Sequence, residues 1–122
     1  MNVEEIMTAK LCTTGPEATV AEAATLMGER HVGSILIVDG DRLLGILTER
    51  DIVRALSSTH DAPTRAVEEW MTRDPVTIEP GASVQKALRA MMDGGFRHLP
   101  VADGGVPVGV LSIRDLAGAF AE

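Results

Sequence analysis

Apolar and polar positions along this chain follow two rhythms, and both recur sixty-four positions later. Val20, Ala23, Ala24 and Met27 fall on one face of a helical wheel, as do Val84, Ala87, Leu88 and Met91. Thr19 and Ser83 stand just before these runs as N-caps. The stretches SILIVDGDRLLGILT and HLPVADGGVPVGVLS are each two apolar runs joined by an Asp-Gly turn, which predicts a hairpin. Short apolar pieces, Leu11 to Thr14 and Val76 to Ile78, suit an opening strand in each copy. ERDIVRALS and IRDLAGAFA predict a closing helix. The predicted order is strand, helix, strand, strand, helix, written twice.

Sliding the sequence against itself by 64 lays Val3–Leu56 on Val67–Phe120 without a gap, and 18 of the 54 aligned pairs are identical. A third identical in one gapless register is a duplication. Residues 1–58 form the first domain, the polar stretch 59–66 with Pro63 is a linker, and residues 67–122 form the second. A unit of this size buries only about 60% of its unfolded surface and is marginal alone. The expected fold is α/β (α+β), two βαββα units related by a pseudo-twofold axis and packed through their sheets. That arrangement makes two equivalent clefts, one for each of GILTERD and GVLSIRD.

Composition narrows what the clefts can hold. With 11 basic against 18 acidic residues the net charge is −7, and the only aromatics are Trp70, Phe96 and Phe120. Repulsion from phosphate backbones and the lack of stacking platforms exclude nucleic acid as the expected partner. One cysteine, Cys12, rules out an internal disulfide, and as an aligned partner of Val76 it reads as a small buried hydrophobe. His31, His60 and His98 are scattered, so no metal site is expected. Ile35 to Val38 is the longest aliphatic run, far short of the roughly 18 residues of a membrane span, and MNVEE is no secretory signal. A cytoplasmic location without membrane contact follows as an expectation. No nucleophile or acid–base pair shares a cleft, so no enzyme activity is expected.

The repeated motif admits two readings. Thr48-x-x-Asp51 and Ser112-x-x-Asp115 resemble a capping box where a strand passes into a helix, and capping alone would justify them. The same atoms suit a nucleotide: free N–H groups at a helix start favour phosphate, and a carboxylate one turn in accepts from two ribose hydroxyls. Gly45 and Gly109 would let a flat base approach the strand. Arg50 and Arg114 sit in the first helical turn, where a cation opposes the helix dipole unless an anion binds there or they pair with nearby acids or reach solvent.

Together, VEEIMT…ATVAEAATLM…VGSILIVDGDRLLGILTERDIV and VEEWMT…ASVQKALRAM…FRHLPVADGGVPVGVLSIRDL resemble a tandem pair of CBS domains, named after cystathionine β-synthase. The resemblance spans Val3 to Phe120. It implies clefts that bind adenosine compounds: AMP, ADP or ATP, or alternatively S-adenosylmethionine or NAD(H). By position it places Asp51 and Asp115 on ribose hydroxyls, Thr48 and Ser112 near ribose or phosphate, and Ile46 and Val110 along the base. Such clefts borrow the early segment of the opposite copy, which points to Cys12 and Val76, and also to Met7 and Met71. The family often places basic phosphate contacts where Arg97 and His98 stand, whereas copy one has Gly33 and Ser34 there, so the Ser112–Asp115 cleft is expected to bind the tighter. The implied function is a stand-alone regulatory module without a cofactor, its nucleotide acting as a signal to a homodimer or a separate regulated protein. The competing expectation is a ligand-free dimerisation and interaction module, in which hydroxyl and acid are caps and the apolar helices meet a second chain.

Overall fold

Thr19 and Ser83 start helices for the reason their chemistry suggests. Thr19 Oγ1 accepts from the Glu22 N–H at 3.1 Å while the Glu22 carboxylate accepts from the Thr19 N–H at 3.0 Å, a reciprocal capping box. Ser83 Oγ accepts from the Lys86 N–H at 3.1 Å, and lysine at that position cannot return the bond. The computed structural model describes residues 1–121. Its elements are β1 (Thr13–Thr14), α1 (Val20–Arg30), β2 (Ser34–Asp39), β3 (Arg42–Thr48), α2 (Glu49–Ser58), β4 (Thr72–Arg73), α3 (Val84–Gly94), β5 (His98–Asp103), β6 (Val106–Ser112) and α4 (Ile113–Phe120). Helices α1 and α3 stop at left-handed residues, His31 at φ 55° and Gly95 at φ 69°. No helix among the described residues is long and apolar enough to cross a membrane.

The chain divides into two compact units that do not coincide with the two sequence copies. Unit 1 comprises Met1–Leu11 with Val76 onward, and unit 2 is Cys12–Pro75. Each copy therefore sends its opening segment to the other copy's unit. Short 3-10 turns, Val3–Glu5 and Val67–Glu69, anchor these segments, and their valines are fully buried.

In unit 2 the sheet order is β1-β2-β3-β4, with β1 parallel to β2 and the other neighbours antiparallel. Unit 1 repeats this at reduced length. The β5–β6 hairpin is flanked by a parallel bridge from Ile78 to Val101 and an antiparallel bridge from Thr8 to Val110. The opening strands are thus shorter than the apolar pieces suggest: β1 keeps only Thr13 and Thr14, and Val76 is 56% exposed with no strand around it. Strand β4, by contrast, has no counterpart in the predicted order.

Each unit has its own core. In unit 2, Ile35, Ile37 and Leu47 from the hairpin meet Ala23 and Met27 of α1 together with Cys12, Val67 and Met71. In unit 1, Leu99, Val101 and Leu111 meet Ala87 and Met91 of α3, with Val3, Ile78 and Leu116. Strand residues alternate faces, so the odd-numbered members of β2 and β3 (Ile35, Ile37, Leu47) define the helix-covered face. Ser34, Leu36, Ile46 and Thr48 therefore point to the opposite one.

Candidate functional site

On that opposite face, strand register gathers residues that are distant in sequence. Ser34 pairs with Thr48 and Leu36 with Ile46 in unit 2; His98 pairs with Ser112 and Pro100 with Val110 in unit 1. Each group sits where a strand hands over to a helix. The first helical N–H is held by the residue before the partner strand: Glu49 donates to the Gly33 carbonyl at 3.1 Å, and Ile113 to that of Arg97 at 2.9 Å. Arg97 thus lies beside the start of α4, exposed and just outside β5. Ser34, Ile46, Thr48 and Asp51 come together in one unit; Arg97, His98, Val110, Ser112 and Asp115 in the other.

Both acidic residues act as caps. Thr48 donates to Asp51 Oδ2 from its N–H at 2.9 Å and from its hydroxyl at 3.1 Å, and Asp51 N–H donates to Thr48 Oγ1 at 3.3 Å. Ser112 N–H donates to Asp115 Oδ2 at 2.8 Å, and Asp115 N–H to Ser112 Oγ at 3.1 Å. Capping boxes of this kind contribute about 0.5–2 kcal/mol each. The two junctions then diverge. Asp51 Oδ1 lies 3.3 Å from Arg54 Nη2, whereas Asp115 Oδ1 has no protein partner among the described residues. Arg50 and Arg114 are exposed and form no ion pair among the described residues.

Three expected site residues lie elsewhere. Met71 and Cys12 belong to the unit 2 core on the helix-covered side, and Met7 packs against the unit 1 core. Burial pushes the Cys12 thiol above its usual range. Cys12 and Val76 each stay with their own copy, because the chain changes unit between Leu11 and Cys12 and between Pro75 and Val76.

The glycines need a corrected reading. A Cβ on Gly45 would stand 2.6 Å from Met71 Sδ and 2.7 Å from the Thr72 carbonyl oxygen; one on Gly109 would stand 2.6 Å from Met7 Sδ and 2.9 Å from the Thr8 carbonyl oxygen. What approaches these glycines is the exchanged segment of the other copy, on the core side of the sheet. A methionine and a backbone, rather than a base, occupy the space.

Sequence reasoning missed Arg54 and Trp70. Arg54 Nη2 also donates to the Trp70 carbonyl at 2.9 Å, and its guanidinium carbon is 5.2 Å from the indole centroid. The signal was available as two departures from the repeat, since Gly118 and Ile6 stand at the equivalent positions.

Fold and junctions together define a duplicated βαββα module that presents paired hydroxyl–carboxylate motifs at strand-to-helix turns. The chain belongs to the CBS domain family, whose model matches residues 3–58 and 67–122. It is 42% identical to an uncharacterized 17.7 kDa protein of Acidianus ambivalens, over 98% of this chain and 73% of that protein. It is 36% identical to the CBS domain-containing protein YhcV of Bacillus subtilis, over 95% and 83%. Among solved structures it resembles the CBS domain pair of protein MJ0100 in complex with 5′-methylthioadenosine and S-adenosyl-L-methionine, with a TM-score of 0.92, 26% identity, and coverage of 99% of this chain and 96% of that one.

Proposed function

We propose that this chain is a regulatory module that binds an adenosine compound at its strand-to-helix junction and signals by a change in conformation or assembly. The observation that carries this is Asp115. Its carboxylate caps α4 with one oxygen and, among the described residues, keeps the other without a protein partner, beside Ser112. An open carboxylate oxygen accepts from ribose hydroxyls, and the helix start offers N–H groups and positive potential to a phosphate. Arg97, at the same junction, adds a cation for that phosphate. The adenosine ligands of the MJ0100 domain pair support the adenosine part of the reading. An adenine nucleotide such as AMP, ADP or ATP suits the added cation. A ligand regulates only as far as it binds one arrangement better than another, so the signal requires a second conformational or oligomeric state.

The capping boxes favour a second reading, a ligand-free interaction module. Val53 and Leu56 on α2 and Ile113 and Phe120 on α4 are exposed and apolar, which suits contact with another chain. Thermal unfolding with AMP, ADP, ATP, S-adenosylmethionine or NADH separates the two. At 100 times its dissociation constant a ligand stabilises by about 2.7 kcal/mol. Asp115→Asn keeps an oxygen for the cap and loses the charge, so a ligand-dependent shift that vanishes in this variant supports adenosine binding. No shift with any of the five supports the interaction module.

A further inference from the structure

We propose that Arg54 blocks the Thr48–Asp51 junction, so that the chain carries one working site, at Ser112–Asp115, instead of two; this rests on the adenosine-binding reading above. The Asp51 side chain is only 13% exposed, and both its oxygens are engaged, Oδ2 by Thr48 and Oδ1 by Arg54. A ribose diol needs such oxygens as acceptors. To reach them, a ligand must displace a guanidinium held at three points: the carboxylate, the Trp70 carbonyl and the Trp70 ring.

The equivalent position in the other unit holds no such group. Gly118 replaces the arginine and Ile6 replaces the tryptophan, so neither side chain of the Arg54–Trp70 pair has a counterpart beside Asp115. A Cβ at Gly118 would meet no atom within 4 Å, so a larger side chain fits there. The arginine and the tryptophan both depart from the repeat, and they touch each other. They therefore act as one device that separates two junctions built on the same capping box. An ion pair of this exposure together with a cation over an indole corresponds to about a three- to thirty-fold penalty on a competing ligand.

Isothermal titration calorimetry of the full chain with AMP, and in parallel with S-adenosylmethionine, tests this. The wild type is expected to bind one equivalent, lost in Asp115→Asn and kept in Asp51→Asn. Arg54→Ala is expected to reveal a second event that Asp51→Asn removes. Arg54→Gln, of similar reach but uncharged, should do the same and guards against a folding defect in either variant. Conversely, Gly118→Arg should weaken the Asp115 event by about three- to thirty-fold. Two events in the wild type, one of them lost in Asp51→Asn, overturn the proposal. So does a single unchanged event in both Arg54 variants, or weaker binding in them, which would make Arg54 a ligand contact. A folded wild type that takes up neither probe overturns the adenosine reading itself, and this proposal with it.

Discussion

Replacing Gly45 with alanine drives a methyl group to 2.6 Å from Met71 Sδ and 2.7 Å from the Thr72 carbonyl oxygen. The sulfur can swing away, but the carbonyl cannot, because Thr72 and Arg73 are paired in register with Ile46 and Gly45. The sheet must open locally to admit the methyl. Overpacking of this kind costs about 1–3 kcal/mol. Alanine recovers about 0.5–1 kcal/mol relative to glycine in a strand. The net loss is about 1.3 kcal/mol at mid-range and at most about 2.5 kcal/mol, against a total stability of about 5–15 kcal/mol. Urea unfolding followed by circular dichroism measures it, and with a slope of about 2 kcal/mol per molar the midpoint falls by about 0.6 M at mid-range and at most about 1.2 M. Gly28→Ala is the control: it lies within α1, its Cβ would meet nothing within 4 Å, and it should be neutral or stabilising by up to about 1 kcal/mol. Adding Met71→Ala to Gly45→Ala should not rescue the loss, because the contact with the main chain persists. An unchanged midpoint in Gly45→Ala refutes the packing argument. If ligand affinity falls while the midpoint holds, the glycine is there for the base after all.

The caps and the buried thiol give further tests. Thr19→Ala removes one side of the α1 capping box and is expected to cost about 1 kcal/mol in the same assay. Hydrogen bonding from Thr19, first from its backbone N–H and then from its side chain, holds the Glu22 carboxyl below its usual range. A folded pKa lowered in this way contributes stability above the unfolded value of about 4.3, lost as pH falls through the folded value. Glu22→Gln should therefore flatten the acid limb of melting temperature against pH below about pH 4, and an unchanged limb would rule the contribution out. For Cys12 the sign reverses. Burial raises its pKa, so its contribution is full below the ordinary thiol value of about 8.5 and is lost as pH rises through the folded value. Iodoacetamide at pH 8 should label native Cys12 at least about tenfold more slowly than the urea-unfolded chain, and equal rates would contradict its burial.

Much of the local structure was legible because its causes lie within a few residues. Thr19, Ser83, Thr48 and Ser112 all cap helices as their positions suggest. The Asp-Gly turns place Gly40 and Gly104 at positive φ, which glycine adopts without strain. The strand-to-helix junctions were legible for the same reason, down to Thr48 with Asp51 and Ser112 with Asp115. Strand β4 was not, since Thr72 and Arg73 have no strand pattern of their own and exist as a strand only by pairing with β3. The core positions of Met7 and Met71 were not legible for a related reason: local sequence carries no record of which side of which sheet an exchanged segment covers.

Local patterning along the chain accounts for the duplication, the helices with their caps, the hairpins and the residues that meet at each junction. Tertiary structure alone decided that each opening segment joins the other copy's unit, that Gly45 and Gly109 make room for Met71 and Met7, and that Arg54 reaches both Asp51 and Trp70. The physical reason is separation along the chain. Caps and turns satisfy backbone groups within about four residues, whereas Arg54 and Trp70 stand 16 apart and meet only because Val67–Glu69 is anchored in the same core.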